Sequence, residues 1–399
     1  MNNSRRAPLA DYLTWFDEAY YLSSNPDVSS TVAAGHFANG LCHYRAFGHN
    51  EGRKPFSLDG AWYRRKYPVA AMELGRREWF DPIDHWLGVG RLRGYDRAHH
   101  HSASTTTKFV KQSETSDRPL AFMHIPKSAG SSFSSGIRNA IGPCREVFGW
   151  DLSTLGAFTD IESFAPEIRA VTYPSSDALP SSADLVLGHF AMSTIRTRYP
   201  QAQLITIVRE PVSRLLSLWL YMRSHTEPGI VRWGTYAGCL RRARRTLLEF
   251  LVHRPLASQT DNVICRMLLW PNPLIPEGDF IDPTHDDEIV GQALARLRTF
   301  ALVDLTENPE LTANLSAWFG KPFIITPENQ TPMIERAFRK PFHKELSSEA
   351  CDLLGRHSRL DVQIWKNIVR ERLADVNVDA FQINTLMHNI ARYALLMAS

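Results

Sequence analysis

The chain has 399 residues, 44% of them hydrophobic and 22% charged, which excludes wholesale disorder and leaves room for two or three folded domains. Its 45 Lys and Arg against 42 Asp and Glu give a formal net charge of only +3. That bias is too weak for a nucleic-acid-binding surface, but it is compatible with local basic pockets for phosphate, sulfate or acidic sugars.

The amino terminus, MNNSRRAPLADYLTWF, carries an arginine pair with no apolar run behind it, so no secretory signal is expected. No stretch reaches the roughly 18 apolar residues of a membrane-spanning helix. The five cysteines, Cys42, Cys144, Cys239, Cys265 and Cys351, show neither CxxC pairing nor zinc-like spacing. A reducing, cytoplasmic setting is therefore expected.

Residues 1–96 read as a small helical domain of two copies offset by 42 positions. Asp17 aligns with Asp59, Tyr21 with Tyr63, Pro26 with Pro68, His43 with His85 and Gly48 with Gly90. Each copy reads as a short helix, a proline-marked turn, a second helix and an aromatic helix. Gly48 and Gly90 are expected to close that last helix in the left-handed conformation. The module is a candidate for carbohydrate or partner binding, or for oligomerisation.

Residues 97–118 are polar and rich in Ser and Thr, and read as a linker. Nothing there would fix His99, His100 and His101 into a metal site.

From 119 to 399 short apolar runs alternate with helical stretches, the pattern of an α/β domain with a parallel sheet flanked by helices. LAFMHI (120–125), ADLVLGHF (183–190), QLITIV (203–208) and FALVDL (300–305) are the expected strands. Helices are expected after Ser131, after Pro211, around 286–299 and 307–318, and through most of the last sixty residues.

Two strand–loop–helix corners carry chemistry. After Ile125, Pro126 ends the ladder, and Lys127, Ser128, Ala129, Gly130, Ser131 and Ser132 lead into a helix. Small residues admit a ligand close to the backbone, helix-terminal N–H groups face it, and Lys127 adds a full charge. The single glycine follows the lysine, so this is not a Walker A loop. In the second corner Arg209 ends a strand and Pro211 opens a helix, placing a guanidinium where open α/β sheets bind ligands. Arg209 suits a bidentate phosphate contact, and Ser217, two helical turns on, adds a hydroxyl. Arg214 is the competing residue and reads as a solvated helix arginine.

HIPKSAGSS (124–132) resembles the 5′-phosphosulfate loop of sulfotransferases that use 3′-phosphoadenosine-5′-phosphosulfate (PAPS). IVREPVSRLLSLW (207–219) resembles their 3′-phosphate element. Both are similar to the carbohydrate sulfotransferases of the heparan sulfate 2-O-sulfotransferase type. That family's usual loop is close to HIPKTAGTS, so Ser128 and Ser131 stand in place of threonines and keep the hydroxyls. The resemblance runs from about Leu120 to Arg370. The amino-terminal copies instead resemble a YLxxNPDV-type repeat attached to some bacterial glycan-modifying proteins.

The resemblance implies a P-loop-like domain, PAPS as co-substrate, no metal, and a carbohydrate or glycolipid acceptor. It implies Lys127 on the departing phosphate, Arg209 with Ser217 on the 3′-phosphate, and the histidine of a Gly-His pair, His189, as general base. It also implies acceptor-facing roles for Asn262 and Arg266, and a nucleotide contact from among Arg336, Arg339 and Lys340.

Histidine titrates near neutrality, as a base should. His124 and Glu210 are rivals for that role: His124 reads as structural, and Glu210 as a cap of the helix that follows. Thr306 is expected to cap the next helix. Arg241, Arg242, Arg244 and Arg245 read as a solvated helix face. Two other readings stay open: a nucleotide kinase with a degenerate phosphate loop, in which Asp304 would hold the metal, and a non-catalytic glycan-binding protein.

Overall fold

The computed structural model describes residues 4–93, 95, 118–325, 334–373 and 376–398. All but Arg118 of the expected linker, with its histidine triplet, lies outside the described residues, as do residues 326–333 of the loop expected near the nucleotide. The chain divides into two compact units. One comprises Met1–His101 with Asp379–Asn384; the other comprises Ser102–Val378 with Thr385–Ser399.

In the first unit, elements recur at an offset of 42. Helices Glu18–Ser24 and Gly60–Lys66 are capped by Asp17 and Asp59, whose carboxylates accept from backbone N–H groups of the first turn. Pro26 and Pro68 open helices Pro26–Ala33 and Pro68–Gly75, where the missing N–H costs nothing. One-turn helices Gly40–His43 and Pro82–His85 continue into π-helical turns at Tyr44–Gly48 and Trp86–Gly90. Tyr21 hydrogen-bonds His43 Nδ1 at 3.0 Å, and Tyr63 hydrogen-bonds His85 Nδ1 at 2.8 Å.

Gly48 and Gly90 serve a different end from the expected one. Neither has positive φ, and the left-handed residue that follows the first aromatic helix is Gly52 (φ 73°). A Cβ at Gly48 would lie 2.1 Å from Tyr21 Oη, and one at Gly90 would lie 2.2 Å from Tyr63 Oη. These glycines make room for the buried tyrosines, which lie with Tyr44, Trp62 and Trp86 in one aromatic core.

The second unit is built on six parallel strands in the order β3-β2-β4-β1-β5-β6. They are β1 (Leu120–Met123), β2 (Glu146–Asp151), β3 (Thr172–Tyr173), β4 (Leu185–His189), β5 (Gln203–Val208) and β6 (Leu302–Leu305). The helices that matter below are α1 (Gly130–Ile141), α2 (Pro211–Arg223), α3 (Val263–Leu269), α4 (Asp286–Leu297), α5 (Leu311–Phe319), α6 (Ser348–Arg372) and α7 (Val378–Ala398), of which Thr385 onward belongs to this unit.

Strands β1, β4, β5 and β6 fall where apolar runs place them, because a parallel sheet covered on both faces favours unbroken hydrophobic strands. The runs overreach by one or two residues at their ends. β2 escapes that signal: its burial alternates and Gly149 interrupts it. β3 is only two residues long.

On one sheet face Leu120, Phe122, Leu185, Leu187, Ile205 and Ile207 pack with Phe133 and Ile137 of α1 and with Leu311, Leu315 and Trp318 of α5. A second core gathers α2 around Trp219 together with Leu354 of α6 and Tyr393 and Met397 of α7.

The topology positions the site. β1 is flanked by β4 in register Met123↔Gly188 and by β5 in register Phe122↔Ile205; from β1 the chain crosses to β2 and β3 on one side, returns to β4, and then crosses to β5 and β6 on the other. All strands are parallel, so the ends bearing Lys127, His189 and Arg209 share one sheet edge. β1 is the topological switch point, where doubly wound sheets open a ligand crevice.

Candidate active site

The turn after β1 is held in an unusual backbone. Lys127 (φ 68°) and Ala129 (φ 58°) both occupy the left-handed region, at a cost of about 1–2 kcal/mol each for residues with a Cβ. Left-handed residues interleaved with ordinary ones make a concave row of backbone N–H groups that suits an anion. The first N–H groups of α1 open into the same place, since a helix start leaves them without intrahelical partners. Ser128 is fully buried and its hydroxyl has no partner.

Gly130 starts α1 directly against His124. A Cβ there would lie 1.7 Å from His124 Nε2, so no other residue fits without displacing that ring. Ser131 is half-buried and Ser132 buried within the first helical turn.

The side chain of Lys127 turns toward α2, with Nζ 3.9 Å from the centroid of the Tyr221 ring, a cation–π contact. Burial pushes its ammonium down to about 8, and the charges of Arg209 and Arg392 act in the same direction.

Arg209 meets the loop directly. Its Nη1 donates to the Lys127 carbonyl oxygen at 3.2 Å, and its Nη2 donates to Asn389 Oδ1 at 2.9 Å and Tyr393 Oη at 2.7 Å. The adjacent Glu210 does not compete for that charge. As expected, it caps α2, accepting from the N–H groups of Val212 and Ser213 at 3.2 and 2.7 Å.

Arg214 departs from its expected solvated setting. It is 2% exposed and donates to the Gln259 carbonyl at 3.2 Å, while Nε and Nη1 have no partner. Burial lowers its pKa to about 10; the charge of Asp361 opposes this and that of Arg209 adds to it. A helix position three residues after a buried proline, facing the second core, leaves this arginine nowhere to reach solvent. Among the described residues, Lys127, Arg209, Arg214 and Arg392 form no ion pair with a carboxylate. Four cations thus gather at this end of the sheet, with Asp361 and Glu210 acting on Arg214, and Glu307 on Arg209, through space rather than through ion pairs.

His189 ends β4 beside β1. Its Nδ1 lies 2.6 Å from the His124 carbonyl oxygen, which can only accept. The ring proton therefore sits on Nδ1, and Nε2 carries the lone pair. Burial pushes the imidazole down to about 4; the hydrogen bond works against this, and the charge of Lys127 adds to it. His124 packs 4.3 Å from His189 centroid to centroid, and its own Nε2 has no partner. It acts on the site through its carbonyl and as the floor under Gly130.

The remaining expected residues are placed as follows. Ser217 is buried on α2, two turns beyond Arg209. Asn262 and Arg266 are both buried, and their polar atoms serve the frame. Asn262 Oδ1 accepts from Leu360 N at 2.9 Å, while Arg266 pairs with Asp261 at 2.7 Å and also donates to the Asp261 and Asp279 carbonyls. They tie α3 to α6 and the neighbouring loop; one helical turn of spacing put them on one face, and that face is the inner one. Arg336 and Lys340 are exposed, and Arg339 donates Nε to the Ile334 carbonyl at 2.7 Å. The basic run is not one solvated helix face: its helix ends at Arg242, Arg241 pairs with Glu227 at 2.5 Å on the surface, and Arg244, which also pairs with Glu227 at 2.5 Å, is largely buried, with its guanidinium 4.5 Å from the Phe338 ring. Thr306 caps no helix: α5 begins only at Leu311, and the Thr306 hydroxyl is buried without a partner.

Tyr221, Asn389 and Tyr393 carry no sequence signal for this site. Tyr221 reads as one more aromatic on an apolar helix, and the other two lie 180 and 184 residues from Arg209. No family model matches the chain, and no curated protein matches it.

Proposed function

We propose that the second unit is a sulfotransferase that moves a sulfuryl group from PAPS to a hydroxyl of a carbohydrate or related glycan. The carrying observation is the contact between the Arg209 guanidinium and the Lys127 carbonyl, 3.2 Å, which joins the phosphate-loop candidate to the arginine-tipped strand in one crevice. A donor with phosphate groups at its 5′ and 3′ positions needs two such anchors side by side. The gathered cations and the orphaned Ser128 hydroxyl fit that polyanion: an unpaired buried polar group is costly, and a phosphate oxygen would satisfy it.

In this reading the donor supplies the activated sulfur–oxygen bond. An acceptor oxygen forms a new bond to sulfur as the bond to the bridging phosphate oxygen breaks, and the adenosine bisphosphate leaves. The chain's own residues position the partners and manage charge. Lys127 and the amino end of α1 stabilise negative charge on the departing phosphate. Arg209 with Ser217 holds the 3′-phosphate. His189, neutral at pH 7 and bearing its lone pair on Nε2, takes the acceptor proton. The first unit is read as a duplicated module that binds glycan or a partner, or mediates self-association.

The kinase reading asks for a strand-end aspartate free to hold a metal. Asp304 instead accepts from Asn308 Nδ2 at 2.7 Å and Asn314 Nδ2 at 3.0 Å. Titration of the full chain with 3′-phosphoadenosine-5′-phosphate, AMP and ATP tests the proposal. Micromolar binding that depends on the 3′-phosphate is expected. Preference for ATP, or no nucleotide binding at all, would overturn it.

A further inference from the structure

The expected bidentate use of Arg209 meets an obstacle. Nη2 carries two protons and already faces two acceptors on α7, Asn389 Oδ1 and Tyr393 Oη. One Nη1 proton is committed to the Lys127 carbonyl. Only Nε–H and the second Nη1 proton are left for a ligand.

The acceptors on α7 are themselves fixed. Tyr393 is 1% exposed and donates its own proton to the Ser213 carbonyl at 2.9 Å, so its oxygen lone pairs face Arg209. Asn389 is 8% exposed; its Nδ2 donates to the Thr385 carbonyl at 3.0 Å and to Ser213 Oγ at 3.3 Å, which leaves Oδ1 as the acceptor. Both groups are neutral. They orient the guanidinium without cancelling its charge, whereas a carboxylate in either place would compete with phosphate for it.

We infer that Asn389 and Tyr393 are positioning residues of the donor site: α7 presets Arg209 so that its remaining N–H groups face the 3′-phosphate. The inference rests on the sulfotransferase reading above. It makes recognition of one phosphate depend on the last turns of the chain. The neighbouring Arg392 lies with its guanidinium carbon 5.3 Å from the Tyr393 ring and adds positive charge toward Lys127.

The test compares 3′-phosphoadenosine-5′-phosphate with AMP, by calorimetry on the full chain at fixed salt. The ratio of their affinities isolates the 3′-phosphate. Tyr393→Phe keeps the ring in the core and removes the hydroxyl, both the acceptor for Arg209 and the donor to the Ser213 carbonyl; it is expected to lower the ratio about three- to tenfold by loosening Arg209. Asn389→Asp sets a carboxylate against the guanidinium and is expected to lower it by about tenfold or more. AMP affinity should hold in both, which a general loss of structure would not allow. If the wild-type chain discriminates and both variants discriminate equally well, or better, α7 does not position Arg209 and the inference falls while the sulfotransferase reading stands. If the wild-type chain shows no preference for the 3′-phosphate, both fall together.

Discussion

His189 Nδ1 stands 2.6 Å from the carbonyl oxygen of His124, 65 residues earlier and just past the end of the neighbouring strand. This one contact sets the tautomer, so the ring nitrogen with the lone pair is Nε2. His189→Ala should lower kcat about 10²–10⁴-fold while leaving affinity for 3′-phosphoadenosine-5′-phosphate unchanged. A parallel loss of nucleotide affinity would show that the residue holds the fold rather than the proton.

The same histidine makes stability depend on pH with a definite sign. Its folded value, about 4, lies below the ordinary 6.5, so between those limits the unfolded chain binds the proton and the folded chain does not. His124 shifts the same way, also through burial. Stability is therefore present above about pH 6.5 and declines as pH falls toward 4. Denaturant midpoints across pH 4–8 check this, and His189→Gln should flatten part of the slope.

Lys127 predicts a dependence on the alkaline side. With its ammonium near 8, affinity for adenosine bisphosphate should weaken as pH rises through that value, and Lys127→Met should remove the dependence. Tyr221→Phe keeps the cation–π face and should leave the profile intact. Tyr221→Leu should move the midpoint and raise KM for the donor more than it lowers kcat. Equal behaviour of the two Tyr221 variants would sink the role given to that ring.

Arg214 carries a buried charge with two unpartnered nitrogens. Arg214→Met should leave the unliganded chain unchanged or up to about 2 kcal/mol more stable, since an apolar isostere avoids the desolvation cost. It should also shrink the rise in Tm that adenosine bisphosphate produces. A large loss of stability without ligand would show that the arginine is satisfied in the empty site.

Gly130 and Gly291 separate two uses of glycine within helices. Gly130→Ala drives a Cβ into the His124 ring and should cost about 3 kcal/mol, with loss of nucleotide binding. Gly291, exposed on α4 with nothing within 4 Å of an added Cβ, should gain about 1 kcal/mol on substitution by alanine. Thermal melts of the two variants give opposite signs if the packing is as described.

What the sequence determined by itself was local. Apolar runs located β1, β4, β5 and β6, and turn chemistry marked Lys127–Ser132 and Arg209–Pro211 as strand-to-helix corners, because capping and strand endings act over a few residues. The 42-residue offset was legible for the same reason: Asp17 and Asp59 each cap their own helix. Tertiary structure decided the rest. β2 and β3 are defined by pairing with neighbouring strands, and Gly48 and Gly90 are small because a tyrosine from another helix presses on them. Arg214 reads as a surface residue until the second core closes over it. Asn262 and Arg266 were placed on one helix face by their spacing, but only packing showed which way that face points. The partners of Arg209 on α7 lie beyond any local signal. A hydrogen bond across 184 residues leaves no trace in spacing or periodicity; it forms only because folding carries the last helix back to the edge of the sheet.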